Sequence, residues 1–312
     1  PPIASQGLPA ARRYASIAPD APHALHMPSH IFTRVGAWED SIATNVRSAA
    51  VAKKGGDGLE AYHASDYMVY AYLQLARDGE ARREMEEALK VTDNNPSAIA
   101  ASYATAAMPA RYAMERGAWR EAMALQPRGN KFLFTDAITY FARALGAARS
   151  GEVAAAEKDA QALARLHQAL QDAKSNYWAT EVEVQRLAVA GWIALAQGKA
   201  DDALKFMRGA ADLEDRSEKH IVTPGRILPA RELLADMLLE LKQPALALKE
   251  YEASHVREPN RLRGYYGAAL AAEGAGDRQK ARDYYAKLVD LTKNADSARP
   301  ELARARAYLA QR

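Results

Sequence analysis

Four of the seven histidines stand between positions 23 and 63, close enough in sequence to act together. In His23-Ala-Leu-His26-Met-Pro-Ser-His30 the offsets are three and four, which places the three rings on one stripe of a helix. Pro22 suits the first turn of that helix, with Asp20 nearby as a cap. Imidazoles at these spacings can share a zinc, nickel or copper ion, and His63-Ala-Ser-Asp66 offers His63 and Asp66 as further ligands. Three such ligands with an open position form a catalytic zinc centre. The same rings can instead pack as amphipathic groups, hydrogen-bonding free carbonyls or holding an acidic peptide end. Thr33 and Arg34 continue the stripe, and Pro28 should kink the helix by freeing the carbonyl near Ala24.

Other routes to chemistry are closed. The chain has no cysteine, so thiolate nucleophiles, disulfides and Cys-based zinc sites are excluded, and any metal must use His and carboxylate. No nucleophile elbow, phosphate loop, HExxH or triad spacing occurs, so catalysis would rest on a metal alone. The first expectation is therefore a protein without a cofactor and without an enzymatic activity; the alternative is a divalent transition metal such as zinc. Lys and Arg number 42 against 39 acids, a net +3 too weak for a nucleic-acid footprint. The longest apolar run, Leu187 to Ala196, stops well short of the roughly 20 residues that span a bilayer. The chain reads as soluble, and without thiols cytoplasm and periplasm suit it equally. It opens on Pro1 with no targeting signature, the expectation for a processed or truncated product.

The elements that must position these residues are helices in tandem. Residues 228–261 align with 262–295 at a spacing of 34: Arg231, Leu234, Ala235, Leu238, Ala247 and Tyr251 answer to Tyr265, Ala268, Ala269, Ala272, Ala281 and Tyr285. The frame slides onto the rest of the chain with decreasing fidelity, punctuated by turn glycines 36, 79, 117, 151, 198 and 276. It divides the chain into a partial repeat 1–21, repeats 22–61, 62–102, 103–135, 136–183, 184–227, 228–261 and 262–295, and a cap helix 296–312. Pro19 sits where Pro259 closes a repeat, so the chain begins in mid-repeat. In the cap, Leu302, Ala305, Tyr308 and Leu309 alternate with Arg299, Arg304, Arg306 and Arg312, a solvating face.

One segment departs from the frame. Glu214 to Gly225, with Glu218, His220 and Thr223-Pro-Gly225, forms a long connection before Pro229 opens the next helix. It is either a well-built loop or a functional one, with Glu214, Glu218 and His220 as candidates. Glu232, Asp236 and Glu240 follow on the inward line of the next helix, either an acidic groove floor or a solvated face.

The 34-residue frame resembles the tetratricopeptide repeat, TPR, whose pattern of large, small-small, large, then Ala and aromatic packs one helix closely on the next. The resemblance implies an all-α fold, a TPR-like solenoid wound as a right-handed superhelix. It also implies that one stripe of each first helix lines a concave groove, bringing inward His23, His26, His30, Arg34, Arg111, Phe141, Trp192, Glu232, Asp236 and Tyr266. Such a groove takes a peptide or protein segment, the partner expected of a binding scaffold. His26-Met-Pro-Ser-His30-Ile together with Glu218-Lys-His220, Thr223-Pro-Gly225 and Pro229-Ala-Arg-Glu232 is similar to a group of bacterial TPR proteins across the whole chain. In that group a further histidine-rich helix precedes the position of Pro1. The Lys, Asn and Arg clamp of chaperone-binding TPR proteins is not matched by His26, His30 and Val69.

Overall fold

The computed structural model describes residues 3–14, 16–90, 98–129 and 131–311; Pro1, Asn130, Arg312 and part of the 62–102 repeat lie outside them. The described residues are helical, without a strand, and build an all-α array of helical hairpins in tandem. A short 3-10 turn, Ala4–Gly7, and α1 (Leu8–Tyr14) precede α2 (Pro22–His26), α3 (Ser29–Val35) and α4 (Trp38–Gly55). Six hairpins follow: α5 (Gly58–Gln74) with α6 (Asp78–Lys90), α7 (Ile99–Glu115) with α8 (Trp119–Met123), α9 (Leu133–Arg149) with α10 (Val153–Asp172), α11 (Asn176–Ala196) with α12 (Ala200–Asp215), α13 (Ala230–Glu240) with α14 (Pro244–Arg257), and α15 (Leu262–Gly274) with α16 (Arg278–Leu291). The last helix is α17 (Pro300–Ala310).

Small residues set the hairpin spacing. A Cβ on Gly191 would meet Met207 Cγ at 2.8 Å, so α11 and α12 approach closer than any larger residue permits. Five of the six punctuating glycines have positive φ, but Gly79 lies inside α6 and the turn before it is made by Ala76 at φ 55°. The proposed boundaries 61/62, 102/103, 135/136 and 183/184 fall within α5, α7, α9 and α11, because the repeat pattern marks packing positions rather than helix starts.

Pro28 does more than kink its helix. It divides the stretch into α2 and α3, and two α4 hydroxyls donate to α2 carbonyls: Thr44 Oγ1 to Leu25 O at 2.5 Å and Ser48 Oγ to Pro22 O at 2.7 Å.

The array bends until its two ends meet. Trp38 Nε1 donates to Asn260 O at 2.6 Å, the Leu262 amide donates to Gln74 Oε1 at 3.2 Å, and Ser297 Oγ donates to Ala76 O at 2.8 Å. Arg299, expected on a solvating face, is instead buried and reaches across to Asp78, its Nε 2.8 Å from Oδ2. A charge turned inward at the cap is what the closed shape provides a partner for. The remaining apolar positions of α17 behave as read: Leu302 and Ala305 are buried, and Tyr308 and Leu309 pack beside them.

The connection between α12 and α13, residues 216–229, does not stay at the rim. Its Ile227 and Leu228 join Phe141, Trp192 and Leu233 in the largest apolar cluster among the described residues.

Candidate functional site

Three imidazoles converge where α2, α3 and α5 meet. His26 is fully buried, His63 is 7% exposed and His30 is partly buried; one ring nitrogen from each lies within 4.8 Å of the other two. Their ring centroids are 4.8 Å apart for His26 and His30, 4.3 Å for His26 and His63, and 6.1 Å for His30 and His63. Burial far from compensating charge disfavours the imidazolium form. It lowers His26 to about 4 and His30 to about 3, with neighbouring His and Lys219 charges adding to the effect, and holds His63 well below the ordinary range. All three are neutral at physiological pH, which is the ligating form.

The hydrogen bonds around the cluster decide which nitrogens are bare. Asn45 Nδ2 donates to Ser41 O at 2.7 Å, so Asn45 Oδ1 faces His26 Nδ1, 2.7 Å away, as an acceptor. His26 therefore carries its proton on Nδ1 and presents a bare Nε2, 3.2 Å from His30 Nε2. Tyr67 OH lies 2.9 Å from His30 Nδ1 and 3.1 Å from Ile221 O, a group that can only accept. When the hydroxyl donates to Ile221 O, His30 Nδ1 becomes the donor and two bare Nε2 atoms face each other. When it turns to His30, the His30 Nε2–H donates to His26 instead, and Ile221 O loses its partner. The first arrangement is poised for a cation, and the second satisfies the rings without one. His63 Nδ1 is buried and has no hydrogen-bond partner in either. Tetrahedral zinc with bonds of about 2.0–2.1 Å needs ligand nitrogens roughly 3.3 Å apart, close to the His26–His30 separation.

Two of the expected ligands stand elsewhere. His23, one turn earlier on α2, has a side chain 67% exposed and its Nδ1 lies 3.3 Å from the Glu60 carboxylate, so it leaves the cluster. Asp66 is fully buried but turns away, 3.3 Å from Arg111 Nε, and burial raises it to about 6 despite that guanidinium.

Arg111 holds the 216–229 loop. Fully buried, it donates from Nη1 to Arg226 O and from Nη2 to Thr223 Oγ1 and Gly225 O, each at 2.7 Å. A Cβ on Gly225 would stand 2.6 Å from Tyr70 OH, so only glycine lets the loop lie this deep. The boxes around His26–His30 and Thr223–Gly225, some two hundred residues apart in sequence, thus meet through Tyr67 and Arg111. Of the loop candidates, Glu214 is partly buried, its side chain 13% exposed, accepts the Ala230 amide at 2.8 Å and is pushed up to about 8 by desolvation. His220 packs against Tyr177 and Trp178 and accepts the Val222 amide at 3.2 Å. Glu218 is exposed and pairs with Arg34 at 2.9 Å.

Of the residues expected on the inward wall, Arg111, Phe141, Trp192 and Glu232 are all buried. The carboxylates do not form an acidic floor. Glu232 is bound by Arg261 Nε at 2.7 Å, Asp236 by Arg263 Nη2 at 2.5 Å and by Tyr251 OH, and Glu240 by Arg149 Nη2 at 2.8 Å. Arg149 itself lies over both Trp119 and Trp192, 4.5 and 4.0 Å from their ring centres. Tyr266 lines a separate cavity of about 250 Å³ beside Arg149 and Trp119. Sequence reasoning missed Asn45, Tyr67, Arg226, Arg261, Arg263 and Arg299 as positioning groups. Only Tyr67 carried a signal, as the large residue of a repeat frame directly after Asp66.

The chain is similar to a solved structure described as the crystal structure of the P58(IPK) TPR domain, with 15% identity, a TM-score of 0.32, and coverage of 99% of this chain and 94% of that one. No family model matches the chain. No curated protein matches it either. Among the described residues, no helix is long and apolar enough to cross a membrane.

Proposed function

We propose that the chain binds one divalent transition-metal ion of the zinc type through His26 Nε2, His30 Nε2 and His63 Nδ1, the helical array serving as its scaffold. The observation that carries this reading is the convergence of three neutral imidazoles, two buried and one partly buried, two with nitrogens 3.2 Å apart and the third with a buried nitrogen lacking any partner. Asn45 and Tyr67 fix the ring orientations, as outer partners of metal-bound histidines do. With only three protein donors, a fourth position would remain for water or a substrate atom, and the ion would supply Lewis-acid chemistry there. A peptide or protein segment, the partner class read from the repeat, would meet the exposed rim around Glu218 rather than these buried residues.

The test is elemental analysis after zinc loading and removal of loosely held metal, on the wild type and on His26→Ala and His63→Gln. About one ion per chain is expected in the wild type and little in either variant. Equal metal content in all three, or sub-stoichiometric metal throughout, would overturn the reading.

A further inference from the structure

A cavity of about 330 Å³ lies between α3, the loop that follows α12 and the end of α14. That volume stands at the lower end of ligand pockets, which span about 300–1,000 Å³. Thr33 and Ser254 are on its wall, and both hydroxyls are buried with no hydrogen-bond partner. Buried polar groups are nearly always paired, so two orphans on one wall point to a guest. Lys219 lines the same space: it donates to Thr223 O at 2.8 Å, and among the described residues no carboxylate pairs with it. Two of its three ammonium protons are thus available. The four arginines of the lining, Arg34, Arg226, Arg231 and Arg257, are each paired with a carboxylate, so among the described residues Lys219 is the cation of this wall that has none.

We propose that this cavity binds a small organic oxyanion, a carboxylate- or phosphate-bearing molecule, seated on the Lys219 ammonium and the Thr33 and Ser254 hydroxyls. The site goes beyond the metal reading and does not depend on it. The two adjoin: Thr33 and Arg34 follow His30 by three and four residues on α3, and Lys219 Nζ lies 6.0 Å from the Tyr67 ring centre.

The experiment is calorimetric titration of metal-free, chelator-treated protein with malonate and with inorganic phosphate, at constant ionic strength and with chloride as control. A pH of about 6, below the value of about 7 to which burial lowers Lys219, keeps it mostly charged. Saturable binding of at least one anion is expected, weakened at least about tenfold in Lys219→Met and in Thr33→Val. A preference for malonate assigns carboxylate, and a preference for phosphate assigns phosphate. Neither anion binding above the chloride control, or wild-type affinity in both variants, would overturn the proposal. If Lys219→Met fails to fold, the isosteric Thr33→Val decides alone. Since no metal is present, this outcome is separate from that of zinc loading.

Discussion

Tyr67 OH stands 2.9 Å from His30 Nδ1 and thereby governs which face of that ring is bare. The hydroxyl also reaches Ile221 O, so one phenol joins the histidine cluster to the buried loop. Tyr67→Phe removes both bonds while keeping the ring. Zinc affinity, measured by competition with a chromophoric chelator, is expected to fall about 10–100-fold with stoichiometry preserved, the usual cost of losing an outer partner. Unchanged affinity would separate the tyrosine from metal binding.

Arg111→Met removes the guanidinium that gathers Arg226 O, Gly225 O and Thr223 Oγ1 and leaves Asp66 as an unpaired buried acid. Breaking such a pair costs about 3–5 kcal/mol. Urea unfolding should register that loss, and hydrogen exchange should rise across residues 217–229 more than in α10. Uniform exchange would show that the loop is held by Ile227 and Leu228 instead.

Glu214 gives the fold a pH signature. Its folded value is raised to about 8 from an ordinary 4.5, so between those limits the folded chain holds a proton that the unfolded chain releases. Stability therefore falls as pH rises through that window. Glu214→Gln retains an oxygen for the Ala230 amide and cannot ionise. The variant should lose less stability than the wild type between pH 5 and 8, as read from urea midpoints at each pH. Lys219 titrates in the upper part of the same range, lowered to about 7, and contributes the opposite slope above it. It is common to both proteins, so the difference between them reports Glu214; parallel curves would place its proton elsewhere.

Arg299→Met tests the closure of the array. It leaves Asp78 and the Glu115 carbonyl without their cross-array donor. The expected loss is about 3–5 kcal/mol, with α17 and α5 losing exchange protection together. Loss confined to α17 would mean that its packing on α16 alone anchors it.

The hairpin array was legible because its packing positions repeat: the spacing of Ala235 and Ala269, Ala247 and Ala281, and Tyr251 and Tyr285 is a local property of each unit, and all six are buried. The histidine cluster was partly legible. His26, His30 and His63 converge, whereas the His23 ring turns to the Glu60 carboxylate of α5, a partner that the spacing within α2 does not reveal. Helix ends also escaped the pattern, as at Gly79, where the left-handed residue is Ala76. The loop's descent into the interior and the pairing of Glu232 with Arg261 were not legible at all. Both depend on how far successive hairpins rotate, and a sequence of separate units carries no record of the accumulated angle.

That accumulated angle changes what kind of polymer the chain is. An open stack of repeats folds as a row of neighbours, any of which can nucleate and spread. Here Arg299 grips Asp78 across 221 positions of sequence, and Trp38 reaches Asn260 across 222. Contacts of that span carry a loop-closure entropy that must be met before they stabilise anything, which slows folding and ties the first hairpins to the last in one cooperative event. Shortening the array at either side would therefore remove support from the opposite side as well.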